Sequence, residues 1–317
     1  MSQIENPVET VIRLLARNMS VVKDDGSPAN ISVSREWLSQ EALQNVDGHV
    51  TVGLLEAVDN KLELTGRLRR RLVNLRVNVW SLDSQMRFKI VEEVNRIVRQ
   101  NRNKPNETFY GFAGVGQATG TYKAYSAGAS SELSPNDAGW SELSDVDYEK
   151  IWYSDDQRYS KSHSVNGEYA LMLFRFKVES RKQTVKKIVL AFEGYGTASA
   201  GNGVTIKVWN HVASAWQNAQ SGMGGADETI SITLTSNLTD YIDDDGYVWL
   251  LARTTNPSDG TTAAVLYCDY VSCTVTVNGI TYLDVVSFRD ADRVDVKPFV
   301  YHTEMVLKSW VLENLEV

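Results

Sequence analysis

A cluster of arginines heads the most regular alternating run of the sequence, TGRLRRRLVNLRVNVW at residues 65–80. The arginines are Arg67, Arg69, Arg70, Arg71 and, further along the run, Arg76. Guanidinium groups bind phosphates and carboxylates, so the run is suited to nucleic acid or to acidic side chains of a neighbouring chain. A third interpretation is a solvent-exposed strand whose long side chains are hydrated. The local sequence leaves these three alternatives open.

Tryptophans are the second group of residues with binding chemistry, because an indole ring offers an apolar face and one hydrogen-bond donor. Four of them are candidates for stacking on a sugar ring: Trp140, Trp152, Trp209 and Trp216. Trp209 and Trp216 also have the spacing of a cross-strand pair in a hairpin, so their role has two interpretations. Trp249 lies in an apolar run and is predicted to be buried.

Patterns for catalysis and metal binding are weak. The four histidines are scattered, and no His-x-x-x-His or nucleophile-elbow spacing occurs. Asp243–Asp245 precede a glycine without a downstream bidentate glutamate, which favours a turn over a calcium loop. Cys268 and Cys273 are five residues apart, on opposite faces of one strand, so we expect buried free thiols. We expect no catalytic residue, no metal and no cofactor.

Composition limits the classes of partner. The chain of 317 residues has a formal net charge of −8 and a pI near 5.2, which argues against general binding to nucleic acid or anionic membranes. Charged residues interrupt every apolar stretch of the opening MSQIENPVETVIRLLARN. We therefore expect neither a signal peptide nor a membrane helix, and no membrane partner.

Residues 1–107 show helical and strand periodicity. Asn6-Pro7 predicts the start of a first helix, and Asp83 or Ser84 the start of a second, amphipathic helix that runs to Arg102. Between them, residues 48–80 predict two or three strands, with reversals at Asp59-Asn60 and Thr65-Gly66.

Residues 108–278 have a different texture, rich in glycine, serine, threonine and aromatic residues. Short alternating runs separated by turn residues indicate an antiparallel β-sandwich. Residues 296–312 form a last alternating run that needs a sheet to join, and the N-terminal strands offer one. The sequence therefore predicts a domain made of residues 1–107 plus 279–317, interrupted by an inserted sandwich at 108–278.

Two segments carry a resemblance to a known family: RRRLVNLRVNVWSLDSQMRFKIVEEVNRIVRQNR and VVSFRDADRVDVKPFVYHTEMVLKSWVLENL. Their order of strand, turn, helix and closing strands resembles the tail terminator (tail-completion) proteins of tailed viruses. The resemblance implies an α+β fold class: a small α/β domain with two main helices, interrupted by a jelly-roll-like β-sandwich.

The same resemblance implies a structural virion protein and not an enzyme. Such a protein forms a homo-oligomeric ring, a hexamer in this family, which caps the tail tube protein and joins it to the head–tail connector protein. Genomic DNA passes through the lumen without sequence-specific binding, and the sandwich projects outward. The location is the virion tail or neck, after assembly in the host cytoplasm. The alternative is a glycan- or protein-binding adhesion module whose α/β part is a scaffold.

A double charge reversal tests the ring. If the arginines meet acidic side chains of the next subunit, Arg69→Glu with Arg71→Glu weakens association because like charges then face each other across the interface. Size-exclusion chromatography with light scattering measures the change. Unchanged assembly would remove these residues from the interface, and a wild-type protein that stays monomeric at high concentration would contradict the ring itself.

Overall fold

The structure, a computed structural model, describes residues 3–35, 43–62, 68–292, 295 and 298–314. The chain divides into two compact units. Residues 108–277 form the first, here called the sandwich unit, and residues 3–107 with 278–317 form the second, the split unit. The part of the chain described includes no helix that is both long and apolar enough to cross a membrane.

The split unit is built on one five-stranded sheet in the order β1-β2-β3-β16-β15. β1 and β2 are parallel, and the other neighbours are antiparallel. The strands are β1 (Ile31–Arg35), β2 (Gly48–Lys61), β3 (Leu68–Ser81), β15 (Tyr282–Asp290) and β16 (Tyr301–Asn314).

Two helices, α1 (Pro7–Asn18) and α2 (Ser84–Gln100), pack against this sheet in a single hydrophobic cluster. Each begins at a capping side chain: Asn6 accepts a hydrogen bond from the Val8 amide at 3.0 Å, and Asp83 accepts one from Gln85 at 2.9 Å. These caps satisfy amide groups that have no partner inside the helix, which fixes where each helix starts. Both predicted helix starts are confirmed.

The sandwich unit consists of two antiparallel sheets. One has six strands in the order β11-β10-β13-β8-β5-β6, and the other has the order β12-β9-β14-β4, with β7 also paired to β14. Its elements are β4 (Glu107–Gly111), β5 (Lys123–Ala129), β6 (Ser141–Glu142), α3 (Asp145–Glu149), β7 (Tyr159–His163), β8 (Tyr169–Lys177), β9 (Val185–Thr197), β10 (Val204–Asn210), β11 (Ala215–Gly222), β12 (Glu228–Leu234), β13 (Tyr247–Thr254) and β14 (Ala264–Val277).

The core of the sandwich unit lies between its two sheets. Phe174 of β8 and Phe192 of β9 meet there with ring centroids 6.2 Å apart. Phe112 joins them, 6.0 Å from the Phe174 ring and 5.4 Å from that of Phe176. Each fully buried aromatic ring contributes roughly 1.5–3 kcal/mol through loss of apolar contact with water, so this layer holds the sheets together.

The predicted fold class, α+β with a small α/β domain, is wrong. The residues described form sixteen strands and three α-helices, so the protein is mostly β. An α/β domain alternates helices with parallel strands, whereas the split unit has one parallel pair and long antiparallel strands. The two amphipathic helices stand out in the sequence because their period is regular, but they cover only part of a predominantly antiparallel structure.

Strand limits also differ in part from the predictions. β2 continues through Asp59-Asn60, so the reversal predicted there is wrong, and the one at Thr65-Gly66 lies outside the described residues. The prediction that the last alternating run joins the N-terminal strands is confirmed. β16 pairs with β3 along its whole length, from Tyr301 opposite Ser81 to Asn314 opposite Leu68.

A row of aromatic side chains crosses three strands of the split unit. His49 of β2 and His302 of β16 both lie opposite Trp80 of β3. The His302 ring stacks on Trp80 with centroids 3.7 Å apart, and its Nε2 lies 3.1 Å from Oδ1 of Asn78. Both imidazoles are buried, at 8% and 7% exposure, and burial lowers the pKa of each below its ordinary 6.5.

These histidines predict a loss of stability in weak acid. Because the folded state holds both imidazoles neutral, the unfolded chain binds protons first as the pH falls through 6.5, and the free energy of unfolding decreases. Protection factors of the β3 amides in urea, with the intrinsic exchange rate at each pH divided out, are compared at about pH 7.5 and about pH 5.5 and should be smaller at the lower pH. The double variant His49→Gln with His302→Gln should lose most of this pH dependence. Equal protection factors of the wild type at both pH values would contradict the prediction.

Candidate functional site

The six-stranded sheet of the sandwich unit has one face toward the core and one face away from it. Side chains alternate along a strand, so Met172 and Phe174 of β8 point to the core while Leu171 and Arg175 point outward. On β13, Leu250 lies in the core and Leu251 on the outward face. Leu171 and Leu251 form a small separate hydrophobic cluster with Ala127, and Trp140, Tyr169 and Trp216 pack against it.

A segment of chain at residues 130–140, between β5 and β6, builds a wall beside the outward face. The Leu133 carbonyl accepts a hydrogen bond from the Trp216 indole at 2.9 Å. The Ser134 carbonyl accepts one from the Trp140 indole at 2.8 Å. Two tryptophans therefore hold the backbone of this segment.

Between this wall and the β10–β11 hairpin lies an open cleft of about 530 Å³. Aromatic rings, hydroxyl groups and charged side chains all reach its surface. The lining residues are Ser131, Glu132, Ser134, Tyr169, Trp209, Ser214, Ala215, Trp216 and Arg253.

The hairpin places two of the aromatic rings. Trp209 and Trp216 are paired residues of β10 and β11, with ring centroids 5.0 Å apart and planes at 68°. The turn is set locally: Asn210 Oδ1 accepts a hydrogen bond from the Ala213 amide at 2.8 Å, and Ser214 adopts a positive φ of 48°. The cross-strand interpretation of the pair is confirmed, and the same pair borders the cleft.

Glu132 is the centre of an ion-pair group with two cationic side chains at the cleft. Its carboxylate lies 2.7 Å from Lys207 Nζ and 2.8 Å from Arg253 Nε. The Arg253 guanidinium also lies 4.5 Å from the centre of the Tyr169 ring, at cation–π distance. The three charged side chains are only 19–23% exposed, so water screens them weakly and the group is held in position.

The four predicted tryptophans are only partly brought together. Trp209 and Trp216 line the cleft, and Trp140 supports its wall. Trp152 lies elsewhere: its indole donates to the Val115 carbonyl at 2.8 Å, and its ring packs against the central core. Trp249, predicted to be buried, is 8% exposed, with the Arg175 guanidinium 5.5 Å from its ring centre.

Sequence reasoning missed the polar half of the cleft. Glu132, Tyr169, Lys207 and Arg253 were not predicted. The sequence does contain a pattern that indicates two of them. Lys207 in VTIKVWN and Arg253 in YVWLLART are each the single charged residue of a largely apolar strand. Burying such a charged group in a sheet is unfavourable unless a side chain of opposite charge pairs with it on the outward face.

The described arginines of the run lie in the split unit and are not among the residues that line the cleft. Arg67 falls outside the described residues. Arg69, Arg70 and Arg71 lie on β3, which is an internal strand between β2 and β16. Arg71 pairs with Asp59 at 2.7 Å, and Arg76 lies 3.7 Å from Glu304. Part of the run is therefore matched by carboxylates of its own sheet, and its contact with another subunit or with DNA stays a prediction.

Two other sequence patterns have structural roles. The Tyr247 amide donates to Asp243 Oδ1 at 2.7 Å, which is the turn chemistry expected there, and Asp244 pairs with the distant Lys182 at 2.6 Å. Cys268 and Cys273 are buried free thiols, as predicted, and burial raises the pKa of both. The prediction that they lie on opposite faces of the strand is wrong: both pack in the same core, because the pairing register shifts after Cys268.

Residues 119–277 match the model of a family described as "Uncharacterized protein, C-terminal domain". The match covers just over half of the chain, so the chain belongs to this family. No curated protein matches the chain significantly.

Several solved structures are similar to part of the chain. A Family 16 carbohydrate-binding module shares 14% identity over 38% of this chain and 78% of its own, with a TM-score of 0.26. The xylan-binding module CBM15 shares 12% identity over 55% and 98%, with a TM-score of 0.30. CBM28, specific for non-crystalline cellulose, shares 11% over 36% and 71%, with a TM-score of 0.24.

The ion pairs of Glu132 predict that residues 130–140 become less stable when the charge of this carboxylate is removed. Glu132→Gln keeps the side-chain size but leaves Lys207 and Arg253 without a carboxylate, a loss of about 1–3 kcal/mol in a weakly screened setting. Hydrogen exchange of residues 130–140 should become roughly tenfold faster. Asp137→Asn, on an exposed part of the same segment, is the control. Equal exchange in both variants would show that Glu132 does not hold the wall.

Proposed function

We propose that the sandwich unit is a glycan-binding module and that the cleft beside Trp209 and Trp216 is its binding site. The observation that carries the proposal is the meeting of two tryptophans and Tyr169 with hydroxyl and charged side chains in one open cleft. All of them lie at the outward face of a sheet whose other face forms the core.

The chemistry of a sugar matches this lining. A pyranose ring has apolar C–H faces, which stack on indole and phenol rings, and an edge of hydroxyl groups that donate and accept hydrogen bonds. The serines of the cleft can do both, Glu132 accepts, and Arg253 donates. A purely apolar ligand would offer no hydrogen bonds to the serine hydroxyl groups that it shields from water, which is unfavourable.

The cleft is open rather than enclosed, and it lies along a sheet face. An open groove admits an internal stretch of a polymer as well as a chain end. The proposed ligand is therefore a polysaccharide segment of a few sugar units.

Binding fits the cleft better than hydrolysis. Glycoside hydrolysis ordinarily needs two carboxyl groups on either side of the scissile bond. Glu132 is the one carboxylate among the lining residues described, and it is already paired with Lys207 and Arg253.

Head–tail joining by a ring of subunits rests on the resemblance of the sequence alone. It stays a prediction, together with its tube, connector and virion location. Glycan binding by the sandwich unit does not depend on it.

Loss of the stacking surface tests the proposed site. Wild-type protein should be retarded in gels containing at least one of a panel of soluble polysaccharides: xylan, mixed-linkage β-glucan, glucomannan and pullulan. Trp216→Ala and Trp209→Ala should each weaken binding about tenfold or more, since a buried aromatic anchor is worth roughly 1.4 kcal/mol or above.

Tyr153→Ala, at a ring that is 57% exposed and lies outside the cleft, is the matched control and should bind as the wild type does. Circular dichroism confirms that the variants are folded. Equal affinity of the cleft variants and the wild type would contradict this site, and no retardation on any member of the panel would contradict glycan binding.

A further inference from the structure

A second group of side chains in the sandwich unit has a different chemistry and shares no residue with the cleft. Asp156, Asp227 and Asp269 each place one carboxylate oxygen within 4.8 Å of the others. Asp156 precedes β7, Asp227 precedes β12 and Asp269 lies within β14. The pairing of β7 with β14, and of β12 and β14 with β9, brings these distant positions together.

A β-bulge aims Asp269 into the group. The register of β14 on β9 shifts between Cys268 and Tyr270, so Asp269 is an extra residue without a partner in the pairing. Opposite the bulge, a Cβ on Gly194 would lie 2.1 Å from the Tyr267 carbonyl oxygen, so only glycine allows this close approach. Bulges commonly redirect a side chain beside a functional site.

The Asp269 carboxylate is buried and only partly satisfied. The residue is 1% exposed, and the backbone amides of Asp155 and Asp156 donate to its carboxylate. Its Oδ1, however, receives no hydrogen bond from any group in the described part of the chain, and neither does the buried Oδ1 of Asp227. A buried carboxyl oxygen without a partner is unfavourable, so two such atoms on neighbouring aspartates point to a missing ligand.

Arg158 supplies only part of the compensation. Its guanidinium donates to Asp227 Oδ2 at 2.6 Å and to Asp156 Oδ1 at 2.8 Å. One positive charge thus faces three carboxylates, and it contacts neither of the two unpartnered oxygens.

We propose that Asp156, Asp227 and Asp269 bind a calcium ion, with Asp227 Oδ1 and Asp269 Oδ1 as ligands. Three carboxylates without nitrogen or sulfur donors suit a hard cation and not zinc or copper. Calcium binds oxygens at about 2.3–2.6 Å and so joins oxygens up to roughly 5 Å apart, whereas magnesium spans only about 4.2 Å. Oxygens that lie no more than 4.8 Å apart can share one calcium ion, and water would complete its coordination.

Calcium would link three segments of the sandwich unit: the one before β7, the one before β12, and the bulge in β14. The expected effect is greater stability of the folded chain, because an ion that binds only the folded state stabilises it by mass action. This role is independent of glycan binding in the cleft.

Calorimetry and thermal unfolding of the full chain, stripped with EDTA and titrated with calcium chloride, test the proposal. We expect one calcium ion per chain and a higher unfolding temperature of the sandwich unit in calcium than in EDTA. Asp269→Asn and Asp227→Asn should lower the calcium affinity at least tenfold and abolish the temperature shift. Asp245→Asn, an exposed aspartate in the Asp243–Asp245 turn, is the matched control and should respond as the wild type does.

The variants in EDTA separate ion binding from a purely structural role. Asp269→Asn removes repulsion, so without calcium it should unfold at the same temperature as the wild type or higher. A wild type that shows neither heat nor a temperature shift with calcium would overturn the proposal. So would an Asp269→Asn protein that keeps the full calcium response, or an equal response to magnesium chloride at the same concentration.

Discussion

The hydrophobic layer between the two sheets of the sandwich unit is the constraint on which the candidate site depends. Side chains on a strand alternate between two faces, so a single residue fixed in the core fixes the direction of every other residue of that strand. Once Phe174 packs against Phe192, Leu171 and Arg175 of the same strand must face outward. Burial of apolar surface thereby determines which polar and aromatic side chains are offered to a ligand.

Ion pairs in the two units differ in their exposure to water. In the cleft, Glu132 lies among weakly hydrated cations, where pairing matters because an unpaired charge would be unfavourable. Arg71 and Asp59 form a more exposed pair on the split unit, of a kind that contributes only about 0–1 kcal/mol. This pair is therefore a minor source of stability. The bulge at Asp269 is the opposite case, a carboxylate placed where water scarcely reaches it.

The sequence predicted those features that depend on neighbouring residues. Asn6 and Asp83 cap the two long helices because a short polar side chain can reach the next amides. Val73, Leu75, Val77 and Val79 share the buried face of β3, as their alternation indicates. The fold class was wrong because regular helical periods are conspicuous, whereas short strands in a glycine- and serine-rich segment each give a weak signal. A polar pair such as Asp59-Asn60 was taken for a turn, although cross-strand pairing with Arg70 and Arg71 keeps it in β2.

By itself, the sequence determined where helices begin, which residues of a strand share a face, and that Trp209 and Trp216 form a hairpin pair. All of these follow from backbone geometry over a few residues. Only the tertiary structure decided that Glu132 meets Arg253, 121 positions away, or that Asp156, Asp227 and Asp269 converge. Such contacts depend on the order and register of whole strands, which are set by burial summed over two sheets. A pattern of neighbouring residues does not predict this strand order and register.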